Sequence, residues 1–227
     1  MKTIVGYIKP VLAIWATAFA FFLAAQSIDS RLETIDNLIE SNNIILSIEV
    51  IEKLFSDDKI SGQLSPLQKA NLLNNLGYAY IKIKKNETAK KHIEEAISIY
   101  NNNPSLPKDD ITFLYQNMGS ILLEEGSYDE ARDYLIKAID ESAKTYGTES
   151  HEYASAQSKL GSLFEEVGYY DLALEYFTKA HNILVKTHGE RSPEHAEISN
   201  HLGRIMIKNG NLSKSKEHLQ TSTSTFE

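Results

Sequence analysis

The chain has 227 residues, of which 42% are hydrophobic and 24% charged, as in a globular protein of one large domain or two small ones. Its formal net charge is −8, and no cluster of Lys and Arg offsets that total. Nucleic acid is therefore disfavoured as a partner, because binding it needs a basic surface. The absence of cysteine excludes disulfides, thiolate metal sites and cysteine nucleophiles.

The N-terminal residues have the layout of an export signal. Lys2 and Lys9 precede an apolar run from Val11 to Ala25, and small residues end it. This order is typical of a secretory signal peptide, with cleavage after Ser27 or after Ala25. The alternative is an uncleaved signal anchor, for which a full membrane span needs about 20 apolar residues. Both interpretations place the rest of the chain outside the cytoplasm, because the positive charge precedes the apolar run.

Beyond residue 30 the pattern predicts helix almost throughout and no strand. Apolar residues recur at spacings of three and four, and few Gly or Pro interrupt them. The expected helix pairs are 68–83 with 86–101, 110–125 with 128–146, 151–167 with 170–188, and 194–209 with 212–225. Residues 31–41 and 43–56 form a further, degenerate pair, and Ser56 to Pro66 form a polar connector.

Four glycines reveal an internal period. Gly77, Gly119, Gly161 and Gly203 are each 42 residues apart, and the same frame surrounds each of them. A polar and an apolar residue precede the glycine, as in Asn75-Leu76-Gly77, Asn117-Met118-Gly119, Lys159-Leu160-Gly161 and His201-Leu202-Gly203. Small residues stand twelve positions later (Ala89, Ala131, Ala173, Ser215) and nineteen positions later (Ala96, Ala138, Ala180, Ser222). A large apolar residue stands sixteen positions later, at Ile93, Leu135, Phe177 and Leu219.

This frame resembles the tetratricopeptide repeat. Two antiparallel helices approach closely only where side chains are small, and large residues fill the space on either side. The usual period is about 34 residues. The longer period here is similar to the kinesin-light-chain-like subclass, as is the linker that begins at Gly147 and recurs at Gly189. The resemblance covers residues 68–227 and implies an all-α, right-handed superhelical solenoid of antiparallel helix pairs.

The domain organisation follows from the period. We predict a signal peptide or signal anchor over 1–27, a degenerate N-terminal helix pair with its connector over 28–67, and four tetratricopeptide-like repeats over 68–227, at about 68–109, 110–151, 152–193 and 194–227. In the degenerate pair, Ile35 stands where the frame glycine would be and Leu54 at the nineteenth position. Ser215 and Ser222 make the last helix polar, which is typical of a terminal cap.

Turn residues agree with these helix boundaries. A glycine stands seven residues after three of the frame glycines, at Gly126, Gly168 and Gly210. Glycine at that place closes a helix in the left-handed conformation. Lys84 replaces it in the first copy. Ser127 and Glu130 have the spacing of a capping box that would begin the next helix.

No set of residues predicts catalysis, a cofactor or a metal site. None of the seven histidines belongs to a His-Glu-x-x-His pair. His188, His195 and His201 are close in the chain, but their irregular spacing is typical of surface residues. The pairs Glu124-Glu125 and Glu165-Glu166 lie near the same place in consecutive repeats, with Glu166 one period after Glu124, and are expected to form a solvated acidic rim.

The resemblance implies a binding groove. In such solenoids the first helix of each pair lines the concave face. The family's groove positions, carried onto this chain, form a polar floor with an acidic middle and basic ends. They are Asn74, Tyr78, Ile81, Lys82, Gln116, Ser120, Leu123, Glu124, Ser158, Ser162, Glu165, Glu166, Asn200, Arg204, Ile207 and Lys208. Asn74 and Tyr78 replace the Lys and Asn of the chaperone-tail clamp, so that clamp is not expected.

These features predict a non-enzymatic scaffold or adaptor that acts in the periplasm or after secretion. It would bind a partner protein or peptide in the groove, without a cofactor or nucleic acid. Contact with a membrane is expected only through an uncleaved N-terminal segment. Convex faces and termini of such solenoids also bind partners. The alternative function is that of a membrane-anchored structural subunit of an envelope assembly.

Overall fold

A computed structural model of the chain describes residues 27–188 and 193–208. Within these residues there are ten helices and no strand. The helices are α1 (Ile28–Glu40), α2 (Ile44–Ser56), α3 (Asp58–Ser61), α4 (Pro66–Lys82), α5 (Asn86–Asn102), α6 (Ile111–Glu124), α7 (Tyr128–Thr145), α8 (His151–Val167), α9 (Tyr170–His188) and α10 (Pro193–Lys208). None of these described helices is long and apolar enough to cross a membrane. The predicted export signal and the predicted helix 212–225 lie outside the described residues.

The helices stack in consecutive pairs. Each first helix packs against its second helix in the pairs α1–α2, α4–α5, α6–α7 and α8–α9, and α10 packs on α9. The first helices α4, α6, α8 and α10 also contact one another in that order. They therefore form one continuous side of the stack. From α4 onward the helix ends lie within two residues of the predicted ranges. The predicted all-α helical solenoid is confirmed.

The small-residue frame lies where the two helices of a pair are closest. The frame alanines are fully buried at Ala89, Ala131, Ala173, Ala96, Ala138 and Ala180. Three of the frame glycines face the large residue sixteen positions later, in the pairs Gly77–Ile93, Gly119–Leu135 and Gly161–Phe177. Because alanine and glycine have only a methyl group or a hydrogen atom as side chain, a large side chain of the paired helix packs against them, as the pattern predicted.

Buried apolar side chains run along the whole stack. One cluster extends from Ile35 in α1 to Leu163 in α8, and a second extends from Ala154 in α8 to Ile205 in α10. Phe164 packs against both clusters and joins them. Because each pair buries its apolar face against the next pair, the stack holds the first helices at fixed relative positions.

The N-terminal pair keeps part of the repeat frame. Ile35 and Ile51 are fully buried, and Ser47, at the twelfth position, is small and also fully buried. The pair joins the stack through contacts between α2 and α4. The predicted polar connector contains the one-turn helix α3, where the side chain of Asp57 accepts a hydrogen bond from the backbone of Lys59.

The turns between paired helices follow the prediction with one addition. Gly126 and Gly168 are left-handed, with φ of 77° and 85°. Lys84, which replaces glycine in the first copy, takes the same conformation with φ of 60°. A side chain in this region strains the backbone, because its Cβ approaches the following carbonyl oxygen. Gly210 lies outside the described residues.

The predicted capping box at Ser127 is wrong. Its side chain accepts no hydrogen bond from the first turn of α7, and its ψ is 62°. Capping serines have extended backbones, as at Ser65 with ψ of 157°. Ser127 directly follows left-handed Gly126, so its backbone is not extended and its hydroxyl makes no hydrogen bond to the free N–H groups of α7. The full capping box instead begins α4, where Ser65 and Gln68 exchange hydrogen bonds with each other's backbone.

Candidate functional site: the groove along the first helices

A cavity of about 390 Å³ opens along the first helices α4, α6 and α8. Seven of the sixteen groove residues implied by the resemblance line it: Tyr78, Ile81, Lys82, Ser120, Leu123, Glu124 and Ser162. Its other lining residues are Lys84, Asn117, Leu135 and Lys159. Leu135 reaches it from the second helix α7, directly beside Gly119. The surface is mixed, with apolar, hydroxyl, amide and charged groups within one concavity.

Polar side chains two residues before the frame glycine connect consecutive first helices. The amide nitrogen of Asn75 donates to Asp36 of α1 at 3.3 Å, and that of Asn117 donates to Asn74 of α4 at 3.2 Å. In α10, His201 lies with Nδ1 2.6 Å from Oε2 of Glu165 in α8. The carboxylate only accepts, so Nδ1 carries the proton in this contact. We call these three links the polar rungs of the groove.

Lys159 occupies the same frame position in the third repeat but forms no rung. No carboxylate of the described residues lies within ion-pair distance of its ammonium group. Burial lowers the pKa of Lys159, the charge of Glu197 raises it, and the charge of Lys82 lowers it further. The side chain is partly exposed and lines the large cavity. It also lines a smaller cavity of about 90 Å³ toward α10, together with Ser155, Ser158 and Glu197.

The charges at the first-repeat end of the groove are compensated. Lys84 donates to one oxygen of Glu124 at 2.9 Å, and the amide of Asn86 donates to the other at 2.7 Å. These two hydrogen bonds, that of Asn86 first, lower the pKa of Glu124. The ammonium of Lys82 lies 5.0 Å from the ring centre of Tyr78, which is a cation–π contact. This end of the groove therefore carries charges that already have partners.

Two of the implied groove residues are buried instead of facing a ligand. Gln116 is 3% exposed, and its carbonyl oxygen accepts a hydrogen bond from Ser155 at 3.0 Å. Glu165 is 8% exposed and binds both His201 and Arg204, the latter at 2.8 Å. Burial alone would raise the pKa of Glu165, but the hydrogen bonds from His201 and Arg204 outweigh it and lower the pKa. The expectation of a solvated Glu165-Glu166 rim is corrected for Glu165, whereas Glu166 is exposed.

The four implied groove residues of the fourth repeat, Asn200, Arg204, Ile207 and Lys208, line neither of the two cavities. Arg204 is held by Glu165, and Lys208 lies 4.6 Å from the ring centre of Tyr170. Asn200 and Ile207 are exposed on α10. Arg204 and Lys208 thus stabilise the contact of α10 with the preceding helix pair.

The three histidines close in sequence do not come together. His201 binds Glu165, and His195 is buried with Nε2 3.0 Å from Nε2 of His181. The side chain of His188 lies outside the described residues. Across residues 27–188 and 193–208, no three His, Asp or Glu side chains are arranged to hold a metal ion.

Sequence reasoning missed four residues that line the large cavity, Lys84, Asn117, Leu135 and Lys159. Asn117 and Lys159 are the two of these that lie on first helices. Both stand directly before the apolar residue of the frame triplet, a position that is polar in all four copies. A polar residue that recurs beside buried positions is a signal that could have marked this position as part of the groove. The period alone could not tell which of these residues would bond to the neighbouring helix and which would face the cavity.

The stacked pairs, the buried small-residue frame and the continuous lined groove define a helical-repeat scaffold, a class whose concave surfaces bind other proteins. Two tetratricopeptide repeat family models match the chain, one over residues 70–103 and one over residues 110–184. The chain is a tetratricopeptide repeat protein. No curated protein matches it in sequence.

Solved structures share this fold. BtubC (BKLC) from P. vanneervenii is 16% identical, with a TM-score of 0.67 over 88% of this chain and 91% of that one. The kinesin light chain TPR-like repeats of Podosopora anserina are 18% identical, with a TM-score of 0.64 over 87% and 94%. The Rap conjugation gene regulator of the plasmid pLS20, solved with a Phr peptide, is 20% identical, with a TM-score of 0.69 over 86% and 52%, so this chain spans about half of it. The predicted kinesin-light-chain-like repeat is confirmed at the level of family and fold.

Proposed function

We propose that this chain is a non-catalytic interaction protein that binds an extended peptide segment of a partner protein in the groove, outside the cytoplasm. The observation that carries the proposal is the cavity of about 390 Å³ that crosses α4, α6 and α8. Its volume is within the range of sites that hold small ligands or a few peptide side chains. The Rap regulator, whose fold is similar, was solved with a peptide, which supports the same kind of ligand here.

The lining suits a peptide better than a small apolar molecule. Ile81 and Leu123 offer apolar contact, while Asn117 and the hydroxyls of Ser120 and Ser162 offer hydrogen-bonding groups along the same cavity. An extended peptide presents backbone N–H and C=O groups at every residue and side chains on alternate sides. Regularly spaced polar groups and apolar contacts on a rigid stack match that ligand.

Groove-dependent capture tests this function. The full chain is used to recover partners from the membrane-extracted and extracellular fractions as wild type, as Ser120→Arg and as Ser98→Arg. Ser120 lines the middle of the groove, whereas Ser98 is exposed on the second helix α5. We expect a protein that wild type and Ser98→Arg retain and Ser120→Arg loses, because the larger side chain fills the cavity. Equal recovery with all three chains would contradict groove binding.

The proposal that the chain acts outside the cytoplasm rests on the pattern of residues 1–27, in which Lys2 and Lys9 precede an apolar run. The second candidate, a membrane-anchored subunit of an envelope assembly, rests on the same run. N-terminal sequencing of the native protein separates them. A start near Gln26 or Ile28 indicates cleavage and release. A Met1 start in the membrane fraction indicates the anchor, and a Met1 start in the cytoplasmic fraction would contradict both.

A further inference from the structure

Lys159 departs from the pattern of the polar rungs. In the other three copies the polar residue two positions before the frame glycine bonds to the preceding first helix, as Asn75, Asn117 and His201 do. Lys159 forms no ion pair with any residue in the described part of the chain. The third repeat therefore places a lysine amine in the stack without the bonds that hold its counterparts.

The other two lysines that line the large cavity have contacts that stabilise a positive charge. Lys84 is paired with Glu124 at 2.9 Å, and the ammonium of Lys82 lies over the ring of Tyr78. Lys159 is the lysine of this cavity for which the described residues provide no such contact. Its ammonium form is therefore the least supported of the three.

The surroundings of Lys159 favour the uncharged amine. Burial lowers the pKa of Lys159, and the charge of Lys82 lowers it further, while the charge of Glu197 opposes both effects. A larger share of this side chain than of a solvated lysine is therefore uncharged at neutral pH. The uncharged amine carries the lone pair that makes lysine a nucleophile, and lysines that form Schiff bases are commonly desolvated or placed beside another cation.

The cavity leaves space for a small reactant beside this amine. Its volume is about 390 Å³, which is within the range of sites that hold small molecules. Ile81, Leu123 and Leu135 give it apolar walls. A molecule with a short apolar body and a polar reactive end fits this lining, with the reactive end at Lys159.

We propose that Lys159 is a site of covalent modification, at which small aldehydes with an apolar body condense with the lysine amine inside the large cavity. The lone pair of Nζ attacks the carbonyl carbon, and the carbonyl oxygen takes up a proton to give a carbinolamine. Loss of water then forms the C=N bond, so the reaction needs no oxidant or reductant. The neutral imine removes a positive charge whose burial is unfavourable. This inference goes beyond the proposed function, because it requires no peptide partner.

Reductive trapping with butanal tests the proposal on the full chain. Sodium cyanoborohydride reduces each imine to a stable secondary amine, and tandem mass spectrometry of proteolytic fragments gives the labelling rate of every lysine at neutral and alkaline pH. Lys91 is the internal reference, since it is exposed on α5 and lines neither cavity. The variants are Lys82→Met and the matched control Lys84→Met, because both lysines line the cavity but only Lys82 acts on the charge of Lys159. Circular dichroism verifies that both variants are folded.

We expect Lys159 to be labelled roughly tenfold faster than Lys91 at neutral pH, because more of it is the uncharged amine. The difference should shrink at alkaline pH, where Lys91 also loses its proton. Lys82→Met should slow the labelling of Lys159 at neutral pH, and Lys84→Met should leave it unchanged.

Labelling of Lys159 at or below the rate of Lys91 overturns the inference, whether the cause is a charged amine or a cavity that butanal does not enter. This result needs no variant, so it does not depend on the folding of a mutant chain. It also leaves groove binding of a peptide intact, because capture of a partner is measured separately without aldehyde.

Discussion

A Cβ atom added to Gly119 would lie 2.6 Å from Cγ of Leu135, a distance at which the two helices must move apart or the leucine must change rotamer. The same relationship holds between Gly77 and Ile93, where the added atom would lie 2.5 Å from Cγ1. These contacts set the separation of the paired helices and so the positions of the first helices that line the groove.

Gly119→Ala is expected to destabilise the fold although alanine is the better helix former. Overpacking costs about 1–3 kcal/mol, whereas the gain in helix propensity is about 1 kcal/mol. Urea unfolding measures the difference. Gly161→Ala is expected to be close to neutral, because its Cβ would lie 3.2 Å from the ring of Phe177. Gly161→Leu, with its extra methylenes, should be destabilising.

The Leu135→Ala background supplies the control for Gly119→Ala. With the leucine side chain removed, the added methyl group has space, so Gly119→Ala should cause no further loss of stability. A loss of the same size in both backgrounds would mean that the Gly119–Leu135 contact does not limit the helix separation.

Glu165→Gln is expected to lower the free energy of unfolding at neutral pH by about 2 kcal/mol, since it weakens two hydrogen bonds that the charged carboxylate accepts. The pKa of Glu165 is lowered below its ordinary value of 4.5 in the folded state. The carboxylate's contribution is therefore present above pH 4.5 and is lost as the pH falls through the lower folded pKa. Urea titrations at neutral and acid pH should show the gap between wild type and Glu165→Gln closing on acidification.

The neighbouring carboxylate provides the matched control for this effect. Glu166 is exposed and forms no ion pair among the described residues. Glu166→Gln should change stability by no more than about 0.5 kcal/mol at either pH. An equal effect of the two substitutions would indicate a general charge effect and not the contact between α8 and α10.

Lys84→Gly should be more stable than Lys84→Ala by about 1 kcal/mol, because both lose the side chain but only alanine keeps a Cβ at φ of 60°. Alanine is the proper reference, since it removes the exposed ion pair with Glu124 equally. Thermal melting of both variants makes the comparison. At Lys91, inside α5, the order should reverse, because glycine is the poorer helix former there. An unchanged order at the two positions would contradict the strain at Lys84.

Ser65→Ala is expected to destabilise the chain by about 1 kcal/mol, because the Ser65 hydroxyl accepts a hydrogen bond from the backbone of Gln68 at the start of α4. Ser127→Ala should have little effect, since the Ser127 side chain caps nothing. Chemical unfolding of the two variants in parallel tests the assignment. Equal losses would mean that Ser127 also caps its helix in solution.

The repeat could be predicted because it imposes the same contact every 42 residues. Close helix packing tolerates only small residues at Gly77, Gly119 and Gly161, and that requirement is visible without coordinates. The capping box could not be predicted in the same way. Ser65 and Ser127 have equivalent sequence spacing, and only the backbone preceding each of them decides whether its hydroxyl reaches a free N–H.

The groove was predicted as a set of positions, but its chemistry depends on partners far apart in the chain. Glu165 begins an adjacent pair of glutamates, as Glu124 does, yet its carboxylate is buried and is bound by His201 and Arg204 of the next repeat. Asn117 and Lys159 occupy one frame position, yet one is bonded to Asn74 and the other faces the cavity.

The sequence by itself determined the family and the helix order, because those depend on local packing repeated at a constant period. Only the tertiary structure decided which polar groups are used between repeats and which remain for a ligand. That division depends on distances between side chains some 40 residues apart, such as the 3.2 Å from Asn117 to Asn74, which no local pattern encodes.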